Sequence, residues 1–538
     1  MHSDKKTVQA ELLPFALNEK ALKQWLKDLN SSDEIEKLTS FTSILSIFSQ
    51  LEMQAKLRFI LLKQISLALN SLCRQFDKTY SKSYFPFSKQ NQLNIEFSIQ
   101  AYSSIANNCL LLCEDADFKQ GNTFSQQQKA SIICLGIDAQ AKVILHFALL
   151  YNKPGKGFWN LCFLFYLFAK QNDFLDSDTI QHDICFINTF KQILLFELSN
   201  THQFNSEEIL SIFRLLNQFS EQVELLTSAP EKKFKGLPFF NLREDYPPSV
   251  SAKEDQEDNP FLIYISSLYL IKNLVQLSTN KKIRCSYNKA MLLRLIKTLT
   301  MNHRRKSERK QTTDELYTVV GLHKVLQFLR IKHKKELNIT KKPNEIPKLD
   351  FGIIAADKNQ DDIESERSRS ERDANLAIAT EFDGIEYIKN EDIWSTDKKR
   401  RTKIKANTDI LDQSITGFGL SIQGDNAKTK VGDIIGLRVS KNIVIGIIRR
   451  IISVQGNKIQ IGVEKLGSHA KLLPLTNSKI IIYLKSNEGE ESVVIQNNDI
   501  EDEIYLFVQA DTHLKKYKIE KQLHASSMVR HLKISPIS

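Results

Sequence analysis

Residues 431–466 read VGDIIGLRVSKNIVIGIIRRIISVQGNKIQIGVEKL and decide the fold of the C-terminal part of the chain. The stretch consists of β-branched runs over Val431–Val439, Asn442–Val454 and Lys458–Leu466, which favours strands over helices. Gly456 and Asn457 lie between the last two runs, where a hairpin turn is expected. The stretch therefore predicts consecutive antiparallel strands.

Strand patterns continue on the C-terminal side of this stretch, at Lys479–Leu484, Glu503–Val508 and Lys516–Ile519. Many short strands with frequent turns are typical of closed barrels and related all-β architectures. The sequence from Lys405 onward therefore predicts a small closed barrel followed by a second β subdomain.

The N-terminal part has a different period. From Ser31 to about residue 340 the apolar residues keep the spacing of amphipathic helices. This region is predicted to be all-helical, with loops where proline and glycine cluster. Its helix candidates are Ser98–Cys113, Gln126–Tyr151, Gly157–Gln171, Ser177–Leu198, Ser206–Leu226, Pro260–Ser278 and Lys289–Met301.

A charged tract after residue 340 has too little apolar surface to fold alone and is predicted to be a flexible connection. The fold class is therefore multidomain α+β, with an N-terminal helical domain and a C-terminal barrel that carries a β extension. The expected divisions are a helical domain at 1–300, a first barrel segment at 301–335, an insertion at 336–402, the barrel at 403–475 and a β subdomain at 476–538.

The bulk composition describes a globular chain of 538 residues, with 42% hydrophobic and 25% charged residues. The longest apolar run, near Phe158–Ala169, is shorter than a bilayer span, and no signal peptide is recognisable. We expect a cytoplasmic protein without a membrane span. The net charge of +11 favours anionic partners. The seven cysteines show no zinc spacing, so no metal site is expected.

Two motifs carry the functional information. One is the basic run Arg304–Arg309, which reads RRKSER; the other is Asp412–Gly417, which reads DQSITG and follows a strand pattern. Arginine forks suit phosphates and guanine edges, while a carboxylate and a hydroxyl on a turn can meet the polar edge of a base. Alternatively, the hexapeptide is an ordinary turn between strands and the basic run a solvated helix end.

The C-terminal part resembles the PilZ domain, a six-stranded bacterial β-barrel that serves as a receptor for cyclic di-GMP. Arg305 and Arg309 match the family's RxxxR motif, and Asp412, Ser414 and Gly417 match its [D/N]xSxxG motif. The resemblance implies that the arginines, with Arg304 beside them, pair with phosphates and guanines. It implies that Asp412 and Ser414 bind a guanine edge, and that Gly417 avoids a side-chain clash.

The two motifs lie about a hundred residues apart, which is much farther than in ordinary PilZ domains. We therefore expect a barrel with a long insertion after a first strand within Asp314–His323, because the entropy of loop closure grows slowly with length. Arg400 and Arg401 are the alternative arginines. They lie at an ordinary distance from Asp412 but lack the RxxxR spacing, and we favour Arg305 and Arg309.

The resemblance extends to Trp25–Asn30, Arg58–Leu62 and Lys153–Trp159, which look like the helical N-terminal region of large PilZ-containing proteins of gammaproteobacteria. The sequence has no P-loop, dinucleotide-binding or hydrolase signature, so no enzyme is expected. The resemblance implies a bacterial signalling effector in motility or biofilm regulation, without a cofactor, whose helical domain relays cyclic di-GMP to an unknown protein partner.

Two other functions remain as alternatives. In one, the barrel has lost the nucleotide and the protein is an interaction scaffold. In the other, the basic tracts at 302–310 and 398–405 bind nucleic acid. Nucleic acid is the less favoured partner, because these tracts are not interleaved with aromatic residues.

Overall fold

The computed structural model divides the chain into two compact units, one formed by 1–329 with 407–538 and the other by 330–406. Fine structure is described over part of the chain only. The described residues are 12–119, 123–176, 185–227, 237–250, 259–279, 287–300, 310–311, 315–337, 408–423, 428–439, 442–454, 458–467, 469–474, 480–485, 490–496, 505–510, 513–525 and 529–537.

Most of the helices precede residue 300. They are α1 Glu19–Leu29, α2 Glu34–Gln50, α3 Ala55–Lys82, α4 Lys89–Glu114, α5 Ala116–Lys119, α6 Gln126–Leu149, α7 Phe158–Gln171, α8 Phe186–Leu198, α9 Ser206–Phe219, α10 Leu268–Thr279, α11 Lys289–Leu299 and α12 Leu322–Leu337.

Most of the strands follow residue 300. They are β1 Glu224–Leu226, β2 Phe239–Asn241, β3 Leu262–Ser266, β4 Lys310–Gln311, β5 Glu315–Val320, β6 Thr408–Gln413, β7 Gly417–Gln423, β8 Ile434–Val439, β9 Asn442–Val454, β10 Lys458–Gly467, β11 His469–Pro474, β12 Ile480–Lys485, β13 Glu491–Gln496, β14 Tyr505–Ala510, β15 His513–Ala525 and β16 Val529–Pro536.

Helix α6 runs through the centre of the helical region. Ser125 caps its first turn, and the side chain of Gln128 completes a capping box. In the described part of the chain, α6 alone is long and apolar enough to cross a membrane, and 78% of its apolar window is buried inside the protein, as in a core helix. Gly136 lets α7 approach closely, because a Cβ there would lie 2.4 Å from the ring of Phe165. The helix is thus placed by packing of its apolar residues against the neighbouring helices.

The predictions of two helices were wrong in part, because each predicted segment contains a strand. The segment predicted as a helix over Ser206–Leu226 ends as a helix at Phe219, and Glu224–Leu226 forms β1. Within Pro260–Ser278, the residues Leu262–Ser266 form β3, which lies between β1 and β2 in an antiparallel sheet. A short apolar run fits a buried strand as well as a helix, and here the neighbouring strands decide.

The predicted six-stranded antiparallel barrel is confirmed. Its strands follow the order β6-β5-β8-β9-β10-β7, and pairing of β6 with β7 closes the ring. Strand β4 lies in line with β5 along the same edge of β6, where it pairs with Gln413 and Asp412 while β5 pairs with Asp409 and Thr408. The barrel thus takes β5 from before the long tract and its other five strands from after it. The predicted turn at Gly456 and Asn457 lies outside the described residues.

The central strands β8 and β9 are buried on both faces, which explains why their sequence is continuously apolar rather than alternating. One face contributes to the barrel core, while the other packs under α12 and under β12 of the following sheet. Inner residues include Ile435, Leu437 and Ile448, and outer residues include Ile434, Ile445 and Ile447. Gly436 lies directly beneath α12, where a Cβ would meet Phe328 at 3.3 Å.

A second antiparallel sheet follows the barrel, with the strand order β11-β12-β13-β16-β15-β14. One of its faces contributes Ile482, Leu484, Val494 and Val529 to the cluster shared with the barrel. Its other face forms a separate core that includes Val493, Leu506 and Ile534. The predicted β extension is therefore a sheet packed on the outside of the barrel.

The helical region and the barrel are joined by hydrogen bonds to backbone carbonyl groups. Phe85 and Thr429 form an antiparallel bridge, in which the two N–H groups donate over 2.9 and 2.7 Å. The Ser453 N–H donates to the carbonyl of Tyr151 over 3.2 Å, and the Lys430 ammonium donates to the carbonyl of Lys82 over 2.8 Å. The side chains of Phe85 and Tyr151 pack edge to face, with ring centroids 4.9 Å apart. The barrel is thus docked on the helices through specific contacts.

Asp433 lies at this junction. Burial raises the pKa of its carboxyl group to about 6, although the Lys430 N–H donates to the carboxylate over 2.7 Å. The hydrogen bond from the Lys430 N–H favours the ionised form of this carboxylate, and it fixes the conformation of the loop that precedes β8.

Candidate functional site

The predicted hexapeptide forms the corner between β6 and β7. The Ser414 N–H donates to the carbonyl of Gly417 over 2.9 Å and closes the turn. The Lys465 N–H donates to the carbonyl of Thr416 over 2.9 Å, which attaches the turn to β10. Ser414 is half-buried at the base of the turn, and Ile415 at its tip is 87% exposed. The corner is therefore an accessible and well-supported edge of the barrel.

Asp412 faces the outside of the barrel because of a β-bulge. Ile410 is buried and pairs with Leu420, but the register shifts at Leu411, so that Asp412 pairs with Gly419. Phe418, Leu420 and Ile422 of β7 belong to the barrel core, so Gly419, which alternates with them, belongs to the outer face. Without the bulge, the two-residue period would turn Asp412 into the core.

The carboxylate of Asp412 lies against the backbone of Gly419. A Cβ at position 419 would lie 2.7 to 2.8 Å from the carboxylate atoms, which is closer than real contacts allow. The sequence reasoning missed this glycine, although the pair Gly417 and Gly419 on either side of Phe418 was visible. A glycine here leaves room for the carboxylate along the strand.

The resemblance implies that Gly417 avoids a side-chain clash, and the structure identifies the atom that a side chain would meet. A Cβ at this position would lie 2.4 Å from the carbonyl oxygen of Val463 on the adjacent strand β10. Backbone strain plays no part, because Gly417 is not among the residues with positive φ. The close approach of β10 to the corner therefore excludes a side chain.

We expect Gly417→Ala to lower the free energy of unfolding of the barrel by about 1–3 kcal/mol, because the new methyl group pushes the corner away from β10. The measurement is the urea concentration at the midpoint of unfolding, with limited proteolysis as the method that detects the unfolded barrel. Gly155→Ala is the matched control, since nothing lies within 4 Å of the Cβ it would add. Equal stability of the two variants would contradict the role of close packing at Gly417.

Lys465 supports the corner and was not predicted. Its ammonium group donates to the carbonyl of Ser414 over 2.9 Å and lies 4.2 Å from the ring centroid of Phe418. Partial burial lowers the pKa of this ammonium group. A lysine in this position fixes the turn and adds positive charge beside it. The sequence motif gave no indication of this contact, because Lys465 lies on another strand, about fifty residues after the turn.

Strand β4 brings a distant part of the chain to the same corner. Lys310 pairs with Gln413, and Gln311 pairs with Asp412. The segment that begins directly after the basic run Arg304–Arg309 thus lies beside the hexapeptide, although about a hundred residues separate the two in sequence. β4 is an exposed edge strand of two residues.

The structure brings together three of the predicted site residues, Asp412, Ser414 and Gly417, in one corner. The predicted arginines are Arg304, Arg305 and Arg309, with Arg400 and Arg401 as alternatives, and all five lie outside the described residues. Within the described ranges, no group of three or more His, Cys, Asp or Glu residues is arranged to hold a metal ion.

Comparison with known protein families gives two matches. Residues 20–231 match the family described as the N-terminal domain of the cyclic-di-GMP receptor FimW, and residues 237–471 match its middle PilZ domain. Together the two matches cover most of the chain, and they include the helical region, both predicted motifs and the barrel. No curated protein and no solved structure matches the chain.

Proposed function

The chain belongs to the FimW family of cyclic-di-GMP receptors, and from this we propose that it binds cyclic di-GMP at the corner between β6 and β7, with Arg305 and Arg309 as its cationic clamp. The family is one of receptors, and the proposed role is that of a non-catalytic effector. The ligand is a cyclic dinucleotide with two phosphates and two guanines, so the site must supply both positive charge and acceptors for guanine donors.

The pairing of β4 with β6 is the observation that carries this proposal. Lys310 lies opposite Gln413, and Arg309 is covalently bonded to Lys310, with Cα atoms about 3.8 Å apart. Arg305 can lie no farther than about 14 Å from Arg309, even in an extended chain. The long gap in sequence is therefore no obstacle to an RxxxR clamp beside the DxSxxG corner.

The same geometry favours Arg305 and Arg309 over Arg400 and Arg401. Strand β6 begins at Thr408 and ends at Gln413, so the corner lies at its C-terminal end. Arg400 and Arg401 precede Thr408 and lead into the opposite end of the strand. β4, in contrast, pairs with the residues of the motif itself.

Each part of the proposed site has a distinct chemical task. A guanidinium group can pair with a phosphate through two parallel hydrogen bonds, and it can also donate to guanine O6 and N7. The carboxylate of Asp412 suits the N–H donors on the guanine edge, because a carboxylate only accepts. Ser414 offers a hydroxyl at the base of the same turn. Lys465, whose ammonium group contacts the corner, adds to the positive field.

The elements on either side of the arginine segment, residues 300–309, support the proposal of a relay to the helical domain. This segment is bounded by α11, which ends at Leu299, and by β4 of the barrel sheet. Arg294 of α11 forms an ion pair with Glu208 of α9 and donates to the carbonyl of Gln203 over 3.0 Å. A ligand that holds the segment against the corner would therefore act on both the barrel and the helices.

A protein partner that reads this change through the helical domain completes the proposal. A cytoplasmic location suits this role, and the buried thiols of Cys73, Cys109, Cys113 and Cys162 fit a reducing compartment. The alternative is a scaffold that keeps the barrel fold without the nucleotide. The two functions differ in one measurable property, the affinity for cyclic di-GMP.

Calorimetry with cyclic di-GMP tests the proposal. We expect saturable binding to the wild type and about 10- to 100-fold weaker binding to Asp412→Asn, because an amide cannot accept from two guanine donors in the way a carboxylate does. Asp409→Asn is the matched control, since Asp409 is an exposed residue of the same strand. Absence of heat from the wild type would overturn nucleotide binding and favour the scaffold.

A further inference from the structure

Helices α10 and α11 expose an unusual number of large apolar side chains. Leu268, Tyr269 and Val275 on α10 are 51%, 60% and 41% exposed, and Leu293 on α11 is 50% exposed. The described part of the chain has sixteen exposed large hydrophobic residues, and these two short helices hold four of them. Such a concentration marks an interaction surface rather than scattered exposure.

These four residues are not needed for the core of the domain. The buried residues of α10 include Leu270 and Leu274, and those of α11 include Leu292 and Leu295. Each helix thus has an inner apolar face that packs into the domain and a separate outer face. The two helices pack against each other, and we use the name α10–α11 face for their exposed apolar residues and lysines, namely Leu268, Tyr269, Lys272, Val275, Lys289, Leu293 and Lys297.

The charge of this part of the chain has a single sign. Residues 268–300 contain no aspartate or glutamate and seven lysines and arginines. In the described part of this stretch, Lys272, Lys289 and Lys297 are exposed, while Arg294 is paired with Glu208. On the described residues of α10 and α11 the exposed charged side chains are therefore all lysines, and they lie among exposed aliphatic and aromatic residues and the uncharged Gln276 and Thr279.

We propose that the α10–α11 face docks on the surface of an anionic lipid bilayer. Aliphatic side chains and a tyrosine can enter the headgroup region, while lysine stems reach past them to lipid phosphates. Basic charge near an anionic leaflet is attracted by its negative surface potential. The surface thus has both components of peripheral membrane binding.

The chemistry argues against other occupants. A second copy of this face would bring lysines against lysines, which opposes self-association. Nucleic-acid interfaces are polar and would leave Leu268, Val275 and Leu293 without a role. A specific acidic protein helix is usually met by arginine forks, whereas the exposed cations here are flexible lysines that suit a diffuse layer of headgroups.

Co-sedimentation of the full chain with vesicles tests this proposal, without nucleotide, so that it can fail independently of the proposed function. The probes are vesicles of pure phosphatidylcholine and equimolar vesicles of phosphatidylcholine and phosphatidylglycerol. We expect binding only to the anionic vesicles and weaker binding at high salt.

Two double variants separate the contributions. Lys272→Gln with Lys297→Gln should lower the vesicle partition coefficient by roughly 25-fold, about fivefold for each lysine. Tyr269→Ser with Leu293→Ser should lower it by about tenfold or more through lost apolar insertion. The matched controls are Leu523→Ser and Lys471→Gln, which change exposed residues of the C-terminal sheet and should bind like the wild type.

Three results would overturn the proposal. They are the absence of binding to the anionic vesicles, equal losses in the two control variants, and binding to a synthetic acidic amphipathic peptide that the vesicles fail to compete. The last result would assign the α10–α11 face to a protein partner instead.

Discussion

Replacement of both Arg305 and Arg309 by alanine is expected to lower the affinity for cyclic di-GMP by about 10²- to 10⁴-fold. A hydrogen bond to a charged group contributes about 1.5–3 kcal/mol, and each arginine would provide at least one such contact with the ligand. Because the two residues act on one ligand, their effects in single variants need not add. Calorimetry on the two single variants and the double variant measures both the loss and the coupling.

Two controls sharpen this experiment. Arg309→Lys keeps the charge but removes the fork, so an affinity closer to that of Arg309→Ala than to wild type would indicate paired hydrogen bonds rather than simple charge. Arg400→Ala with Arg401→Ala changes the alternative arginines and should leave the affinity unchanged. A large loss in this control, together with a small loss in the Arg305 and Arg309 double variant, would transfer the clamp to residues 400 and 401.

The second large effect is expected at the junction of the barrel with the helices. Phe85→Ala should lower the free energy of unfolding by about 3–5 kcal/mol, because it removes a buried aromatic ring and leaves a cavity. The ring packs edge to face on Tyr151 and Phe87, at centroid distances of 4.9 and 5.9 Å. The same residue forms the backbone bridge to Thr429, so the loss should loosen the docking of the barrel.

Hydrogen exchange at the Thr429 amide reports on this docking, because the amide donates to the carbonyl of Phe85 over 2.7 Å. Phe190→Ala is the matched control, since Phe190 is fully buried among other aromatic rings of the helical core. We expect faster exchange at Thr429 in Phe85→Ala than in Phe190→Ala. Equal exchange rates at equal stability would mean that the Phe85 contact does not hold the barrel in place.

Local sequence patterns were enough to predict most of the elements. The β-branched run Asn442–Val454 is a single strand with the predicted bounds, because its composition and the breaks beside it act over short distances. Helix α6 begins at the predicted Gln126, and α7 begins at Phe158, one residue after the predicted Gly157. Local signals failed at Leu262–Ser266, where pairing with β1 and β2 selects a strand.

The candidate site shows the same division. Asp412, Ser414 and Gly417 could be named from their spacing, but the reasons why they matter are tertiary. The bulge at Leu411 turns Asp412 outward, the carbonyl of Val463 excludes a side chain at Gly417, and Lys465 reaches across from β10 to the turn. None of these partners is near the motif in sequence, so no local pattern could indicate them.

By itself, the sequence determined the order of the domains, the strands of the barrel and the hexapeptide at its corner, because hydrophobic period, β-branching and turn residues act between near neighbours. Only the tertiary structure decided that β4 pairs with Gln413 and Asp412, and that Phe85 bridges to Thr429. Pairings of this kind join positions about a hundred or several hundred residues apart. They depend on strand edges and buried surfaces that exist only once the whole chain has folded.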